Sequence, residues 1–164
     1  MKIGILSDTH NHTQNLQHAL TLFRNRGITT LVHCGDMTSP NTAVLLKDFQ
    51  VIAVAGNMDG NTGGLEDTLK KLNPQNVLAA TFTGEIEGVS IAVTHSHRGN
   101  VPDLAANGRF AYIFHGHTHR RRDEVVGRSR IINPGALGGT RHESRSVCVV
   151  DLAAQHVEFI ELGG

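Results

Sequence analysis

The chain has 164 residues, 39% of them hydrophobic, and its 15 basic and 15 acidic residues give a formal net charge of zero. This length is typical of one domain, so we expect a single domain over residues 1–164. The composition excludes a disordered chain, and no apolar run is long enough to span a membrane. The balanced charge argues against a membrane surface or a long nucleic acid as the partner.

Two features of the sequence predict a cytoplasmic protein. The apolar start of the chain ends at Ser7, which is too early for a secretory signal. Cys34 and Cys148 are far apart and form no CxxC pair, so a disulfide framework is not indicated. We expect each thiol to pack as a small apolar side chain.

The first half of the chain alternates short apolar runs with amphipathic stretches. The apolar runs predict strands at residues 2–6, 28–32 and 51–55. Between and after them, capping residues and helical spacing predict helices that begin at Thr13, at Ser39-Pro40 and before Leu65. This alternation is typical of a parallel sheet covered by helices.

The second half predicts more antiparallel pairing. Apolar runs at 77–83 and 89–94 flank a turn bounded by Gly84 and Gly88, which predicts a hairpin. A short helix is predicted at 102–107, and further strands are predicted at 111–114, 123–126, 130–132, 147–151 and 157–162. We therefore expect an α/β fold with mixed sheets.

Polar side chains follow five of the predicted strands at the point where each strand ends. They form the motifs Asp8-Thr9-His10, Gly35-Asp36, Gly56-Asn57-Met58-Asp59, His95-Ser96-His97 and His115-Gly116-His117-Thr118-His119. Because loops beyond the carboxyl ends of strands in α/β sheets converge, we expect these residues to meet in space. Each motif alone has an ordinary explanation as a turn or a cap, but the five together predict a metal site.

The chemistry of these donors indicates which metals suit the site. The chain has 11 histidines, and the motifs combine imidazoles with carboxylates and one amide oxygen. Such donors suit Mn, Fe, Ni or Zn. Asp8 and His10 are two positions apart, as are His117 and His119, which places both side chains on one side of an extended segment. Seven candidate ligands exceed the needs of one tetrahedral ion and suit two ions that share a bridging carboxylate.

In order and spacing, the five motifs resemble those of the calcineurin-like metallophosphoesterases. The short length and Asn133-Pro134-Gly135 are similar to the small YfcE-type phosphodiesterase branch of that family. The resemblance runs from Met1 to about Asp151, nearly the whole chain. It implies a four-layer α/β/β/α sandwich with mixed sheets and a metal-dependent phosphodiesterase activity.

The resemblance also implies a role for each ligand. One ion would be held by Asp8, His10 and His119, the other by Asn57, His95 and His117, and Asp36 would bridge them. Two divalent ions, with Mn as first choice and Fe, Ni or Zn as alternatives, would hold a bridging hydroxide that attacks phosphorus in line. The implied substrate is a small phosphodiester or nucleotide-like molecule.

Two positions depart from the family pattern. Many larger members have a histidine directly after the Asn57 equivalent, which is thought to protonate the leaving group, and here that residue is Met58. The proton donor is therefore unknown, with His12 and His97 as candidates, and leaving groups of low pKa are expected to be preferred. At the second departure a serine replaces the usual glycine between His95 and His97, and we expect its small hydroxyl to be tolerated.

A further residue is assigned a supporting role. Asp59 is expected to hold either an imidazole or the turn in place by hydrogen bonding. Such a residue would orient ligands without binding the metal.

Two other classes of protein share features with this sequence. Metallo-β-lactamase-like zinc hydrolases also use paired histidines, but they need an HxHxDH run, and here Arg98-Gly99 follows His97. The second alternative is a catalytically weak metal-binding scaffold of the same fold, like the retromer scaffold subunit. An exposed apolar patch would favour the scaffold, and an open cleft over two ions would favour the enzyme. The oligomeric state is not predicted.

Overall fold

A computed structural model of the chain describes residues 1–163. Its strands and helices, in chain order, are β1 (Lys2–Leu6), α1 (Thr13–Asn25), β2 (Thr30–His33), α2 (Pro40–Ala43), β3 (Gln50–Val54), α3 (Thr62–Leu72), β4 (Val77–Ala79), β5 (Thr81–Ile86), β6 (Val89–Thr94), α4 (Val101–Asn107), β7 (Tyr112–His115), β8 (Arg122–Val126), β9 (Ser129–Asn133), β10 (Ser146–Asp151) and β11 (His156–Glu161). A single 3-10 turn, Val44–Leu46, follows α2.

The strands form two mixed sheets. The six-stranded sheet has the order β11-β10-β1-β2-β3-β4, in which β1 to β4 run parallel and the last two strands of the chain pair antiparallel. The five-stranded sheet has the order β5-β6-β7-β9-β8, with β6, β7 and β9 parallel. The predicted α/β fold with mixed sheets is confirmed.

Three apolar cores separate four layers of structure. Phe23 of α1 and Leu65 of α3 pack with Leu6 on the outer face of the six-stranded sheet. Ile5, the neighbour of Leu6, points the other way and joins Phe114 of the second sheet in the core between the sheets. A smaller core lies under α4, on the outer face of the five-stranded sheet. The order of layers is therefore helices, sheet, sheet and helix.

Two details of the sequence prediction are wrong. The run 77–83 is not one strand, because β4 pairs with β3 in the first sheet whereas β5 pairs with β6 in the second. The bend between them is at Ala80, which carries no turn signal. In addition, α1 is capped by His12 and not by Thr13, since His12 Nδ1 accepts a hydrogen bond from the amide of Asn15.

Within residues 1–163, none of the helices combines the length and apolar character needed to cross a membrane.

Candidate metal centre

The loops after β1, β2, β3, β6 and β7 bring the seven predicted ligands together in two overlapping groups. In the first group, His119 Nε2 lies 3.2 Å and His10 Nε2 lies 3.6 Å from Asp8 Oδ1. The two imidazole nitrogens are 3.3 Å apart. These three side chains therefore offer ligand atoms that all lie within 4.8 Å of one another.

The second group surrounds the imidazole of His95. Its Nε2 lies 3.0 Å from Asn57 Oδ1, 3.2 Å from Asp36 Oδ2 and 3.3 Å from His117 Nδ1. The same oxygen of Asp36 lies 3.4 Å from His10 Nε2 in the first group. The Asp36 carboxylate thus stands between the two groups of ligands.

Left-handed backbone, and not extended strand, brings the closely spaced ligands together. The φ angles are 53° at Asp8, 47° at His10, 73° at His117 and 58° at His119. The expectation that these pairs lie on one side of an extended segment is therefore wrong. Residues other than glycine rarely adopt this region, and such residues concentrate at functional sites because the surrounding structure holds them there.

Glycines in the motifs allow the ligands to approach the backbone closely. A Cβ atom at Gly35 would lie 2.5 Å from His95 Nδ1, and one at Gly56 would lie 2.1 Å from Asp36 Oδ1. Both distances are far below van der Waals contact. The glycine that precedes each of Asp36 and Asn57 is therefore required by the packing of the ligands.

Carbonyl groups determine which nitrogen of two imidazoles faces the cluster. His95 Nδ1 lies 2.8 Å from the carbonyl of Cys34, and His119 Nδ1 lies 2.7 Å from the carbonyl of Thr140. Because a carbonyl can only accept, Nδ1 donates in both cases. The Nε2 lone pair of each neutral ring then points into the cluster, as it does in metal-binding histidines.

These lone pairs face other hydrogen-bond acceptors. His95 Nε2 opposes Asn57 Oδ1, and His119 Nε2 opposes Asp8 Oδ1. Among the residues that the structure describes, Asp8 Oδ1 is also the one buried side-chain polar atom without a hydrogen-bond partner. Acceptors this close repel one another unless a proton or a metal cation lies between them. The donor set and its orientation therefore fit divalent transition metals.

Both carboxylates of the cluster are held in the ionised state. Burial raises the pKa of Asp8, but the adjoining side chains of His10, His119 and Ser7 outweigh it and hold this pKa well below its usual range. The pKa of Asp36 is also lowered. Burial raises this pKa, but the adjoining His95 and a hydrogen bond from the Met58 amide outweigh the effect of burial. An ionised carboxylate is the form that binds metal.

Asp59 supports the turns and not an imidazole. Its Oδ2 accepts hydrogen bonds from the amides of Asp36 at 2.9 Å and Gly56 at 2.8 Å, and its Oδ1 accepts from the amide of Thr38 at 2.6 Å. One carboxylate therefore ties the loop after β2 to the loop after β3. This holds Asp36 beside Asn57.

Ser96 and Asn133 join the remaining loops. Ser96 has a φ of 78°, and its hydroxyl donates to the carbonyl of Gly116 at 3.1 Å. Asn133 Nδ2 donates to the same carbonyl at 3.2 Å and to Thr118 Oγ1 at 3.1 Å. The serine in place of glycine is therefore accommodated, and it links the His95 loop to the His117 loop.

Of the two candidate proton donors, only His97 is seen beside ligands of the cluster. The ring of His97 is exposed, with its centroid 5.5 Å from that of His95 and 6.2 Å from that of His117. Partial burial and the nearby charges of His95 and Arg98 lower the pKa of His97. His12 caps α1. A role for either residue in proton transfer stays a prediction.

An open cleft of about 410 Å³ lies over the cluster. Its walls include five of the ligands together with Met58, Gly139, Thr140 and His142. The guanidinium of Arg145 holds one wall in place by donating to the carbonyls of Gly138 and Gly139. Sequence reasoning missed this wall because the segment carries no ligand pattern. The paired glycines were its only signal, since they allow backbone to approach a ligand closely.

Comparisons with known proteins identify the family of the chain. The family model described as the calcineurin-like phosphoesterase superfamily domain matches residues 1–155. The chain therefore belongs to the calcineurin-like phosphoesterase superfamily. It is 36% identical over 145 residues to phosphodiesterase MJ0936 of Methanocaldococcus jannaschii, covering 85% of this chain and 86% of that protein.

Two solved structures extend the comparison. A structure described as a novel archaeal phosphodiesterase is similar to this chain with a TM-score of 0.93 at 30% identity, covering 98% of this chain and 99% of that one. YfcE, a phosphoesterase from E. coli, is similar with a TM-score of 0.69 at 21% identity, covering 99% of this chain and 100% of that one. At this lower identity the likeness to YfcE shows the fold.

A buried histidine behind the cluster is expected to make the protein less stable in acid. Burial lowers the pKa of His33 to about 4, although the charges of Asp59 and Asp8 oppose this. Between this value and the unfolded value near 6.5, the unfolded chain binds a proton that the native protein does not. The free energy of unfolding therefore falls as the pH falls, by about 2 kcal/mol from this residue between about pH 7 and pH 5.

Urea unfolding of the metal-free protein at these two pH values measures this effect. In the variant His33→Gln, the difference in unfolding free energy between about pH 7 and pH 5 should be smaller by about 2 kcal/mol. An unchanged pH dependence in that variant would contradict the assignment.

Proposed function

We propose that this chain is a dinuclear, metal-dependent phosphodiesterase. The observation that carries the proposal is the cluster itself, in which lone pairs of imidazoles face carboxylate and amide oxygens at 3.0–3.2 Å in an open cleft. The phosphodiesterase relative from M. jannaschii supports the same activity. One ion would be held by Asp8, His10 and His119, the other by Asn57, His95 and His117, with Asp36 between them.

The residues of the chain prepare this centre for phosphoester chemistry. When bound, two such ions would supply a hydroxide nucleophile near neutral pH for in-line attack on phosphorus and would offset the charge on the phosphoryl oxygens. Asn57 offers an amide oxygen, which adds no negative charge beside a phosphate. The carbonyls of Cys34 and Thr140 hold the rings of His95 and His119 in orientation. Mn is the first choice, and Fe, Ni and Zn also suit these donors.

The cleft also indicates the class of substrate. Its volume of about 410 Å³ suits a small phosphodiester or nucleotide-like molecule. The zero net charge supports such a substrate over a long nucleic acid. A single domain over residues 1–164 and a cytoplasmic location stay predictions.

Hydrolysis of bis(p-nitrophenyl) phosphate by metal-stripped protein tests the proposal. Adding Mn²⁺ should produce turnover, and Asp36→Asn should reduce it about 100-fold or more, because the carboxylate between the two ligand groups is lost. The matched control is Asp67→Asn, which removes an exposed carboxylate on α3 and should leave turnover unchanged. No turnover by protein shown to bind Mn²⁺ would contradict the phosphodiesterase proposal and favour the scaffold.

The surface gives less support to the scaffold alternative. Among the described residues, the large exposed apolar side chains are scattered, apart from Val125 and Val126 on the edge strand β8. Two adjacent valines are a small area compared with the apolar patches that mark stable interfaces. The open cleft over the cluster is the feature that favours an enzyme.

A further inference from the structure

A buried histidine that is not a predicted ligand connects two of the loops that carry ligands. His33 ends β2, three residues before Asp36, and is 1% exposed. Its Nε2 lies 2.8 Å from the hydroxyl of Thr9, and its Nδ1 lies 3.2 Å from the amide nitrogen of Gly35. Thr9 is itself fully buried and stands between two predicted ligands in the loop after β1. One ring therefore bonds to both loops.

The partners of this ring define its tautomer. The amide of Gly35 can only donate, so Nδ1 of His33 accepts and carries no proton. The neutral ring then has its proton on Nε2 and donates it to Thr9 Oγ1. A protonated ring would direct an N–H group at the amide of Gly35. Full burial favours the neutral ring, because a charged imidazole would lose its hydration.

The two loops need such a connection because their backbone is strained. The amide of Asp8 donates to the carbonyl of Gly35 at 2.9 Å, and the amide of His10 donates to the carbonyl of Asp36 at 3.0 Å. These bonds continue the pairing of β1 with β2, but Asp8, His10 and Asp36 all have positive φ. Strained residues persist only where further contacts over-determine their position. The bond from His33 anchors the residue between Asp8 and His10.

We propose that His33 is a positioning residue, whose neutral imidazole clamps the Asp8–His10 loop to the Asp36 loop through Thr9 and Gly35. The clamp sets the separation of ligands that belong to both predicted ions. This role rests on the proposed metal centre. Residues that orient metal ligands through hydrogen bonds affect metal affinity by about 10- to 100-fold in other metal sites.

Substitutions at Thr9 test the clamp with little change in volume. Thr9→Val removes the hydroxyl that accepts from His33, whereas Thr9→Ser retains it. We expect Thr9→Val to weaken Mn²⁺ binding about tenfold in calorimetric titrations, and Thr9→Ser to stay within about twofold of the unaltered chain. Far-UV circular dichroism and unfolding in urea show whether each variant keeps the fold.

A double-mutant cycle assigns the effect to the bond. Once His33→Leu has removed the donor, Thr9→Val should weaken Mn²⁺ binding by much less than it does alone. Nitrogen NMR of the metal-free protein should show His33 neutral at about pH 7, with its proton on Nε2.

The possible results separate this role from the metal centre. Unchanged Mn²⁺ affinity in Thr9→Val, or an equal loss in Thr9→Ser, would overturn the clamp while leaving the proposed function intact. A proton on Nδ1 of His33 would also overturn the clamp. Failure of the unaltered chain to bind Mn²⁺ would instead overturn the metal centre, and the clamp's role in metal placement with it.

Discussion

Replacing Gly56 with alanine is expected to reduce Mn²⁺-dependent phosphodiester hydrolysis about 100-fold or more. The added methyl group would lie 2.1 Å from Asp36 Oδ1 and 2.6 Å from the Asp36 amide nitrogen. Because that amide is bonded to Asp59, the collision cannot be relieved by rotating one side chain. The carboxylate between the two ligand groups must move, and a shift of about 1 Å at a reacting centre can cost about 100-fold in rate.

Gly60→Ala is the matched control for this variant. Gly60 is four residues along the same loop and has no positive φ, and a methyl group added there would have no other atom within 4 Å. The same chemical change should therefore leave hydrolysis and Mn²⁺ affinity unchanged. Assays of both variants, with circular dichroism to confirm the fold, measure the difference. Equal activities in Gly56→Ala and Gly60→Ala would show that the close approach to Asp36 is not required.

The alternation of elements and the ligand motifs could be predicted because both are local patterns. Each strand of the parallel part is a short apolar run, and a polar motif follows it directly. Asp8 and Asp36 come after adjacent parallel strands, so their convergence follows from the topology alone. His95 and His117 follow β6 and β7, which are also adjacent and parallel. The sheet order was therefore enough to bring these ligands together.

Features that depend on distant partners could not be predicted. The change of sheet at Ala80 is decided by which strands lie beside β4 and β5, and nothing in the local sequence records it. The role of Asp59 depends on amides 21 and 23 residues away, and the identity of those partners is visible only in three dimensions. The same is true of His33. In the sequence it follows an apolar run, and its partner Thr9 is visible only in three dimensions.

Replacing Met58 with histidine is expected to raise the rate on substrates with poor leaving groups. Met58 lines the cleft beside Asn57 and is 56% exposed, and a thioether cannot donate a proton. The unaltered chain should therefore hydrolyse diesters of acidic phenols far faster than alkyl diesters. A positioned acid typically contributes about 100- to 10,000-fold, so even an imperfectly placed imidazole should raise the rate on an alkyl diester about tenfold.

The control Met58→Gln has a similar size but transfers no proton. Rates for a series of diesters whose leaving groups differ in pKa measure the effect, and the dependence on that pKa should become shallower in Met58→His alone. Hydrolysis of bis(p-nitrophenyl) phosphate should change little in either variant, because its leaving group departs without a proton. The gain in Met58→His should also disappear at high pH, where the imidazole loses its proton. Equal behaviour of the two variants across the series would show that the leaving group does not depart towards residue 58, and would leave His12 and His97 as the candidates for the proton donor.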